Sequence, residues 1–259
     1  MAAARTAAFL WDGLVLHVGD RVDSQCLTVA PVQVALGIGG LVAAQTPGGD
    51  WVEGTCLVIG SNVPHTFRSG PFSLLWIEAL SDVGRRLTEA FTRHAGIACA
   101  PITDVDELSA CAAAVLADPS CETAWGLAND TLRSVAGTLP RGRVVHPAIR
   151  KALRLIGAQP RFKISAKELA AGVALSEGRF THLFREYMGL PLRRYLMWRR
   201  VQSAVVLLVR GCPATQVAIE TGFTDASHLN RALLMMLGAR PSEFMAAHNL
   251  TVHVCSRPR

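Results

Sequence analysis

The chain has 259 residues, half of them hydrophobic and only 18% charged, which excludes disorder and leaves room for two modest domains. Its net charge of +6 conceals a split: residues 1–140 carry 7 Lys/Arg against 14 Asp/Glu, and residues 141–259 carry 19 against 6. A half at −7 joined to a half at +13 argues for two modules, the second facing a polyanion.

The first thirteen residues hold one Arg and only a short apolar run before Asp12, so no secretory signal is expected. Residues 24–49 contain no charge and are long enough to cross a bilayer. Yet Pro31, Gln33, Gly37, Gly39, Gly40, Gln45, Thr46 and Pro47 interrupt them, and 32–38 alternates large apolar with small or polar residues. That pattern predicts a strand, and no membrane span is expected. Seven cysteines at 26, 56, 99, 111, 121, 212 and 255 are scattered and form no CxxC pair. Such usage predicts reduced thiols, a cytoplasmic location and no zinc motif.

Up to about residue 80, strand-like runs at 14–18, 32–38, 41–44, 56–59 and 72–80 are separated by turn clusters at 46–50 and 68–71. Short, closely spaced strands predict an antiparallel barrel or sandwich. After Ser81 the period becomes helical, over 82–95, 104–117 and 122–135, with breaks at Gly96, Pro101, Pro119 and Gly137. Leu139-Pro140-Arg141-Gly142-Arg143 reads as a linker, and the charge balance changes sign there. Residues 146 to about 247 read as all-α, so the fold class is α+β, divided as 1–80, 81–140 and 141–250.

The basic half repeats itself at an offset of 48–49 residues. Leu169-Ala170, a turn ending at Ser176, Phe180-Thr181-His182-Leu183-Phe184, Gly189 and Tyr195 match a second set. That set is Val217-Ala218, a turn at Gly222-Phe223-Thr224, Leu229-Asn230-Arg231-Ala232-Leu233, Gly238 and Phe244. Each unit predicts a short helix, a tight turn and a second helix, with a small Ala at 170 and 218 letting the two helices cross closely. Ser165-Ala166-Lys167-Glu168 forms a capping box, and Pro213 suits a first helical turn. Between the units, 191–210 reads as one helix of ~30 Å, close to the ~34 Å between successive major-groove faces on one side of DNA.

These motifs, with Leu175-Ser176, Arg185, Leu190, Ser227-His228 and Pro241, resemble the DNA-binding region of AraC/XylS-type transcriptional regulators. The resemblance implies seven helices in the basic half, with recognition helices at about 176–188 and 225–237. It implies base reading from Gly178, Arg179, Thr181 and His182 in the first, and from Ala226, Ser227, Asn230 and Arg231 in the second. Arg179 and Arg231 present a fork suited to guanine, Asn230 pairs with adenine, and Thr181 offers a methyl to thymine. His182 stands where such regulators usually carry Arg, and phosphate bonding is its alternative role. Arg185, Arg193, Arg194, Arg199 and Arg200 are expected to hold phosphates. One stretch departs from the pattern: Leu233-Leu234-Met235-Met236-Leu237 replaces an aromatic residue and a basic run. Either Leu234 and Met235 meet a partner surface, or the second unit grips DNA weakly.

Gly54-Thr55-Cys56-Leu57-Val58-Ile59-Gly60-Ser61-Asn62-Val63-Pro64-His65 is similar to the second motif of cupin barrels, which such regulators often carry N-terminally. The chain lacks the His-x-His pair of metal-binding cupins, so no metal and no cofactor are expected. His65 is expected to be a hydrogen-bonded residue at the barrel end. Some of Trp51, His65, Phe67, Trp76 and Glu78 are expected to line an effector pocket, ordinary core being the alternative. The resemblance further implies dimerisation through 81–140 and contact with RNA polymerase. The reading is a non-enzymatic regulator that binds double-stranded promoter or operator DNA and senses a small molecule, forms a homodimer, or both. Its rival is a cupin enzyme with a nucleic-acid-binding appendage, disfavoured because no metal triad or nucleophile–base pair is legible.

Overall fold

The computed structural model describes residues 6–92, 95–137, 139, 145–237 and 250–256, and the fold is α+β. Two compact units emerge, Met1–Gly142 with Met245–Arg259, and Arg143–Phe244.

The first unit contains β1 (Thr6–Trp11), β2 (Leu14–Gly19), β3 (Val22–Asp23), β4 (Val32–Gly37), β5 (Val42–Gln45) and β6 (Trp51–Gly54). It continues through β7 (Cys56–Ile59), β8 (Thr66–Ser69), β9 (Phe72–Ile77) and β10 (Ile97–Cys99), and ends with β11 (Leu250–Val254). A seven-stranded sheet runs β10-β7-β4-β9-β2-β1-β11, and a four-stranded sheet runs β3-β8-β5-β6. The pairings are antiparallel except that of β1 with β11. The runs expected at 14–18, 32–38, 41–44, 56–59 and 72–80 become β2, β4, β5, β7 and β9. Among the others, β3, β6, β8 and β10 have two to four residues, too short to show a period, whereas β1 and β11 fall outside the runs read as strands.

All six residues of β4 are buried, which explains the charge-free stretch. Val32, Val34 and Leu36 join one apolar cluster and Ala35 another, so both faces of this central strand are dry.

Three helical segments cover one face of the large sheet. They are α1 (Asp82–Leu87), continued by a π-helical turn at Thr88–Thr92, then α2 (Val105–Ala117) and α3 (Cys121–Ala136). Hydroxyl caps start two of them: Ser81 Oγ accepts from Gly84 N at 3.0 Å, and Ser120 Oγ from Thr123 N at 3.1 Å. Leu108, Val115, Leu127 and Val135 then share a core with Phe9, Trp11, Leu16 and Leu75 of the sheet. Removing such side chains from water contributes about 1.5–3 kcal/mol each. Among the described residues, no helix is long and apolar enough to cross a membrane.

The reduced-thiol expectation is overturned. Cys121 and Cys255 form a disulfide across 134 residues of sequence. Parallel pairing with β1 carries the C-terminal strand to the start of α3, where the Cys255 amide donates to Leu10 O at 2.9 Å. The His253 ring stacks on Phe9 at 4.8 Å beside it. Neither cysteine has a spacing that announces the pair, because the proximity is created by strand order alone. Cys26, Cys56, Cys99, Cys111 and Cys212 are free thiols. Burial, aided by neighbouring Cys99, pushes the Cys56 thiol up to about 12, so it stays protonated.

His17 faces the space between the two sheets, edge-on to Phe72 at 5.0 Å. Thr6 Oγ1 donates to Val18 O at 3.1 Å, so toward His17 the same oxygen accepts from the Nε2 proton. Burial pushes this imidazole from 6.5 down to about 4. The folded chain therefore resists a proton that the unfolded chain accepts near pH 6.5. The stabilisation is fully present above that pH and is lost as pH falls toward 4, a change of about 2–3 kcal/mol by pH 4.5. In denaturant titrations at pH 7.0 and 4.5, His17→Gln should lose less stability on acidification than wild type by that amount. Equal losses would show that His17 is not the group responsible.

The second unit comprises α4 (Pro147–Ala158), a 3₁₀ turn at Pro160–Phe162, α5 (Ala166–Gly172), α6 (Glu177–Met188), α7 (Leu192–Val209), α8 (Ala214–Thr221) and α9 (Ala226–Leu237). Among the described residues it has six α-helices, against the seven expected; Pro140–Arg143, Gly238, Pro241 and Phe244 lie outside them. Its core contains Ile149, Ile156, Leu169, Phe180 and Phe184. Phe184 packs at 5.7 Å from both Phe180 and Tyr195, joining α6 to α7.

Candidate nucleic-acid interface

The sequence repeat is a repeat of backbone geometry. In the first unit the Leu175 amide donates to Ala170 O at 2.9 Å, and in the second the Phe223 amide donates to Ala218 O at 2.8 Å. Just before each donor the chain turns left-handed, at Ala174 (φ 56°) and at Gly222 (φ 87°). Ala170 and Ala218 are buried at the crossing of α5 with α6 and of α8 with α9, where a larger side chain would hold the helices apart.

Caps fix where each helix begins. Ser165 Oγ accepts from Glu168 N at 3.1 Å, and Glu168 Oε2 accepts from Ser165 N at 2.7 Å, the reciprocal box expected from the sequence. The Ser165 hydroxyl also donates to Glu168 Oε2 at 2.6 Å, and this bond, followed by the one from Ser165 N, holds the Glu168 carboxyl below its ordinary range. Ser176 Oγ accepts from Arg179 N at 3.3 Å to start α6, and Asp225 Oδ1 accepts from His228 N at 2.7 Å to start α9.

With those starts, α6 buries Phe180, Leu183, Phe184 and Met188 and exposes Gly178, Arg179, Thr181, His182 and Arg185. The Thr181 hydroxyl donates back to Glu177 O and Gly178 O, both at 3.0 Å, which commits its polar atom and leaves the methyl for contact. In α9, Leu229, Ala232, Leu233 and Met236 are buried, whereas Ser227, Asn230 and Arg231 are exposed. Ala226 is half-buried. His228 is also half-buried, edge-on to Phe223 at 5.3 Å. Leu234 and Met235 are 42% and 51% exposed and continue the Ser227–Arg231 face by another helical turn. The side chain of Leu237 lies outside the described set.

The expected phosphate arginines fall into different environments. Arg185 and Arg193 are exposed, and with Thr181, His182 and the half-buried Arg200 they line one groove of ≈ 770 Å³ along α6 and α7. Arg194 is half-buried. Arg199 lies 5.3 Å from the Phe162 ring centre. Arg200 donates from Nε to Arg161 O at 3.2 Å and from Nη2 to Phe162 O at 3.0 Å. Burial lowers its pKa. Its two carbonyl bonds were invisible in the sequence, because their acceptors are main-chain atoms 38 and 39 residues away.

The five residues expected around an effector fall in different surroundings. Phe67 and Trp76 belong to the core between the sheets. His65 is 1% exposed and its Nδ1 donates to Val63 O at 2.9 Å. Trp51 packs instead under Arg68, whose guanidinium lies 3.9 Å from the ring centre and bonds Glu53 at 2.9 Å. Glu78 follows the end of β9, its amide bonded to Gly13 O at 3.0 Å. Among the described residues no group of three or more His, Cys, Asp or Glu is placed to hold a metal ion.

Comparison with known proteins follows the same division. Residues 169–247 match the family model of a helix-turn-helix domain. The arabinose operon regulatory protein of Salmonella typhimurium is 34% identical over 79 residues, 30% of this chain and 28% of that protein. An apo lysine-to-alanine variant of ToxT from Vibrio cholerae superposes over 91% of this chain and 97% of its own, with a TM-score of 0.61 and 11% identity. ToxT with bound unsaturated fatty acid covers 94% of this chain and 93% of its own, with a TM-score of 0.56 and 11% identity. At 11% identity these two likenesses are of fold. The aligned stretch spans little more than a quarter of the curated relative's length. The second unit accordingly contains a helix-turn-helix domain, with two such turns in tandem.

Proposed function

We propose that the chain is a sequence-specific transcriptional regulator that binds double-stranded promoter or operator DNA through α6 and α9. The observation that carries this reading is the duplicated Ala–turn–helix geometry. It presents Arg179, Thr181 and His182 on one recognition helix and Ser227, Asn230 and Arg231 on the other. The linking helix has 18 residues, ~27 Å, which suits two adjacent major-groove faces on one side of the duplex. Arg185 and Arg193 serve as phosphate anchors beside the readers, with Arg194 and Arg199 behind them. The first unit senses a small molecule, mediates homodimerisation, or both; ToxT solved with a fatty acid supports the sensing role by likeness of fold. RNA polymerase contact follows from the same family reading, and the curated relatives are named as regulators.

Salt dependence tests it directly. Affinity of the full chain for duplex DNA should fall linearly on a log–log plot against salt, because each neutralised phosphate releases condensed counterions. Leu234 is 42% exposed at a place where a cation would approach the backbone. Leu234→Lys should therefore tighten binding to any duplex and steepen the slope by roughly one unit. A salt-insensitive wild type would defeat the DNA-binding assignment. A destabilised lysine variant with an unchanged slope would defeat the weak grip assigned to α9.

A further inference from the structure

We propose that Arg200 is a positioning residue that fixes the register between the two helix-turn-helix units, and not a phosphate anchor. The proposal rests on the DNA-binding reading above.

Three segments far apart in sequence meet at this side chain. The first is the 3₁₀ turn Pro160–Phe162, which leads through Ser165 into α5 and so into the first unit. Arg161 (φ 61°) and Phe162 (φ 49°) are both left-handed without being glycine, a conformation that persists only where surrounding contacts impose it. The second segment is α7, which supplies Arg200. Its guanidinium holds the two successive carbonyls, Arg161 O at 3.2 Å and Phe162 O at 3.0 Å, while Arg199 lies over the Phe162 ring at 5.3 Å. The third segment is the turn of the second unit. Gly222 has φ 87°, and a Cβ built there would sit 2.7 Å from Arg161 O and 3.4 Å from Arg200 Nε. The Arg161 carbonyl oxygen is thus wedged between the guanidinium and the bare Cα of Gly222.

The chemistry selects arginine and glycine for separate reasons. A rigid planar fork presents two N–H groups to neighbouring carbonyls in a fixed geometry, whereas a lysine ammonium carries its donors on a flexible stem and fixes no register. Only glycine combines that φ with a backbone approach too close for any side chain. Because Arg161 O touches both the connecting helix and the second turn, the entrance to the first unit and the bend of the second are held against one body. The two recognition helices cannot then shift independently along the duplex.

The test uses the full-length chain and a duplex that the wild type selects from a randomised library. Variants of that duplex carry one base pair inserted or deleted between the half-sites, or one half-site alone. Wild type should lose about tenfold or more in affinity when the spacing changes, since half-site separation is a geometric requirement. Arg200→Ala and Gly222→Ala should each reduce that penalty to about threefold or less, with the salt slope and single-half-site affinity unchanged. Arg200→Lys, which keeps the charge and the fold but not the fork, should resemble Arg200→Ala. An Arg200→Ala slope shallower by about one unit, with the spacing penalty intact, would make Arg200 a phosphate anchor and overturn the proposal. So would a spacing penalty that Arg200→Lys preserves in full. Trypsin supplies a readout independent of DNA: the Arg161–Phe162 bond should be cut faster in Arg200→Ala than in folded wild type. Equal cutting overturns the clamp even if no duplex is bound, whereas faster cutting without DNA binding by the wild type faults only the DNA assignment.

Discussion

Breaking the Cys121–Cys255 bond is expected to destabilise the first unit by about 2–5 kcal/mol. The bond closes a loop of 134 residues, so cutting it frees the unfolded chain from a large constraint. In the folded state it also clamps β11, whose five residues pair with β1 and cover what would otherwise be the open edge of the large sheet. Cys121→Ser and Cys255→Ser should lower the unfolding midpoint by similar amounts under oxidising conditions. The double variant should cost little more than either alone, because a single bond is lost in all three. A strong dithiol reductant should bring wild type to the level of the variants and leave the variants unmoved. Thiol titration of denatured, unreduced protein should return five thiols, not the seven in the sequence. Seven thiols, or a Cys255→Ser variant as stable as wild type, would remove the clamp from the structure's account. In a thiol-reducing compartment the pair is open to reduction, which makes the stability of the first unit sensitive to redox conditions.

The second large effect concerns which arginines read bases. Arg231→Ala is expected to flatten discrimination at one base pair of a selected site by about 1–3 kcal/mol, while binding to other sequences changes little. Arg231 is exposed on the same face of α9 as Ser227 and Asn230, and no described acidic side chain pairs with it. Its fork is therefore free to engage the O6 and N7 of a guanine. Arg193→Ala should behave differently. Arg193 is exposed at the first turn of α7, beside the groove that α6 lines, so its loss should weaken all sequences alike and shallow the salt slope by about one unit. Competition binding against single-base variants of the site, repeated at two salt concentrations, separates the two outcomes. Uniform loss from both substitutions would abolish the distinction between readers and anchors.

Much of this molecule is legible in its sequence. The capping box at Ser165 and Glu168, the small residues at 170 and 218, and the repeat at an offset of 48–49 residues are local signals, because a helix start or a tight crossing is decided by neighbours in sequence. The strand at β4 is readable for the same reason: 32–38 alternates large apolar with small or polar residues, and a strand period is written within half a dozen residues. What tertiary structure alone decided are the contacts between distant segments. In the sequence Arg200 is one more cation on a basic helix; only the fold sets the carbonyls of 161 and 162 beside it. Trp51 and Trp76 are equivalent candidates in the sequence, yet they lie on different sheets: Trp76 on β9 joins the core between the sheets, while Trp51 on β6 packs under Arg68. Cys121 and Cys255 carried no signal, because a parallel strand pairing between the two ends of the chain is set by the packing of the whole sheet.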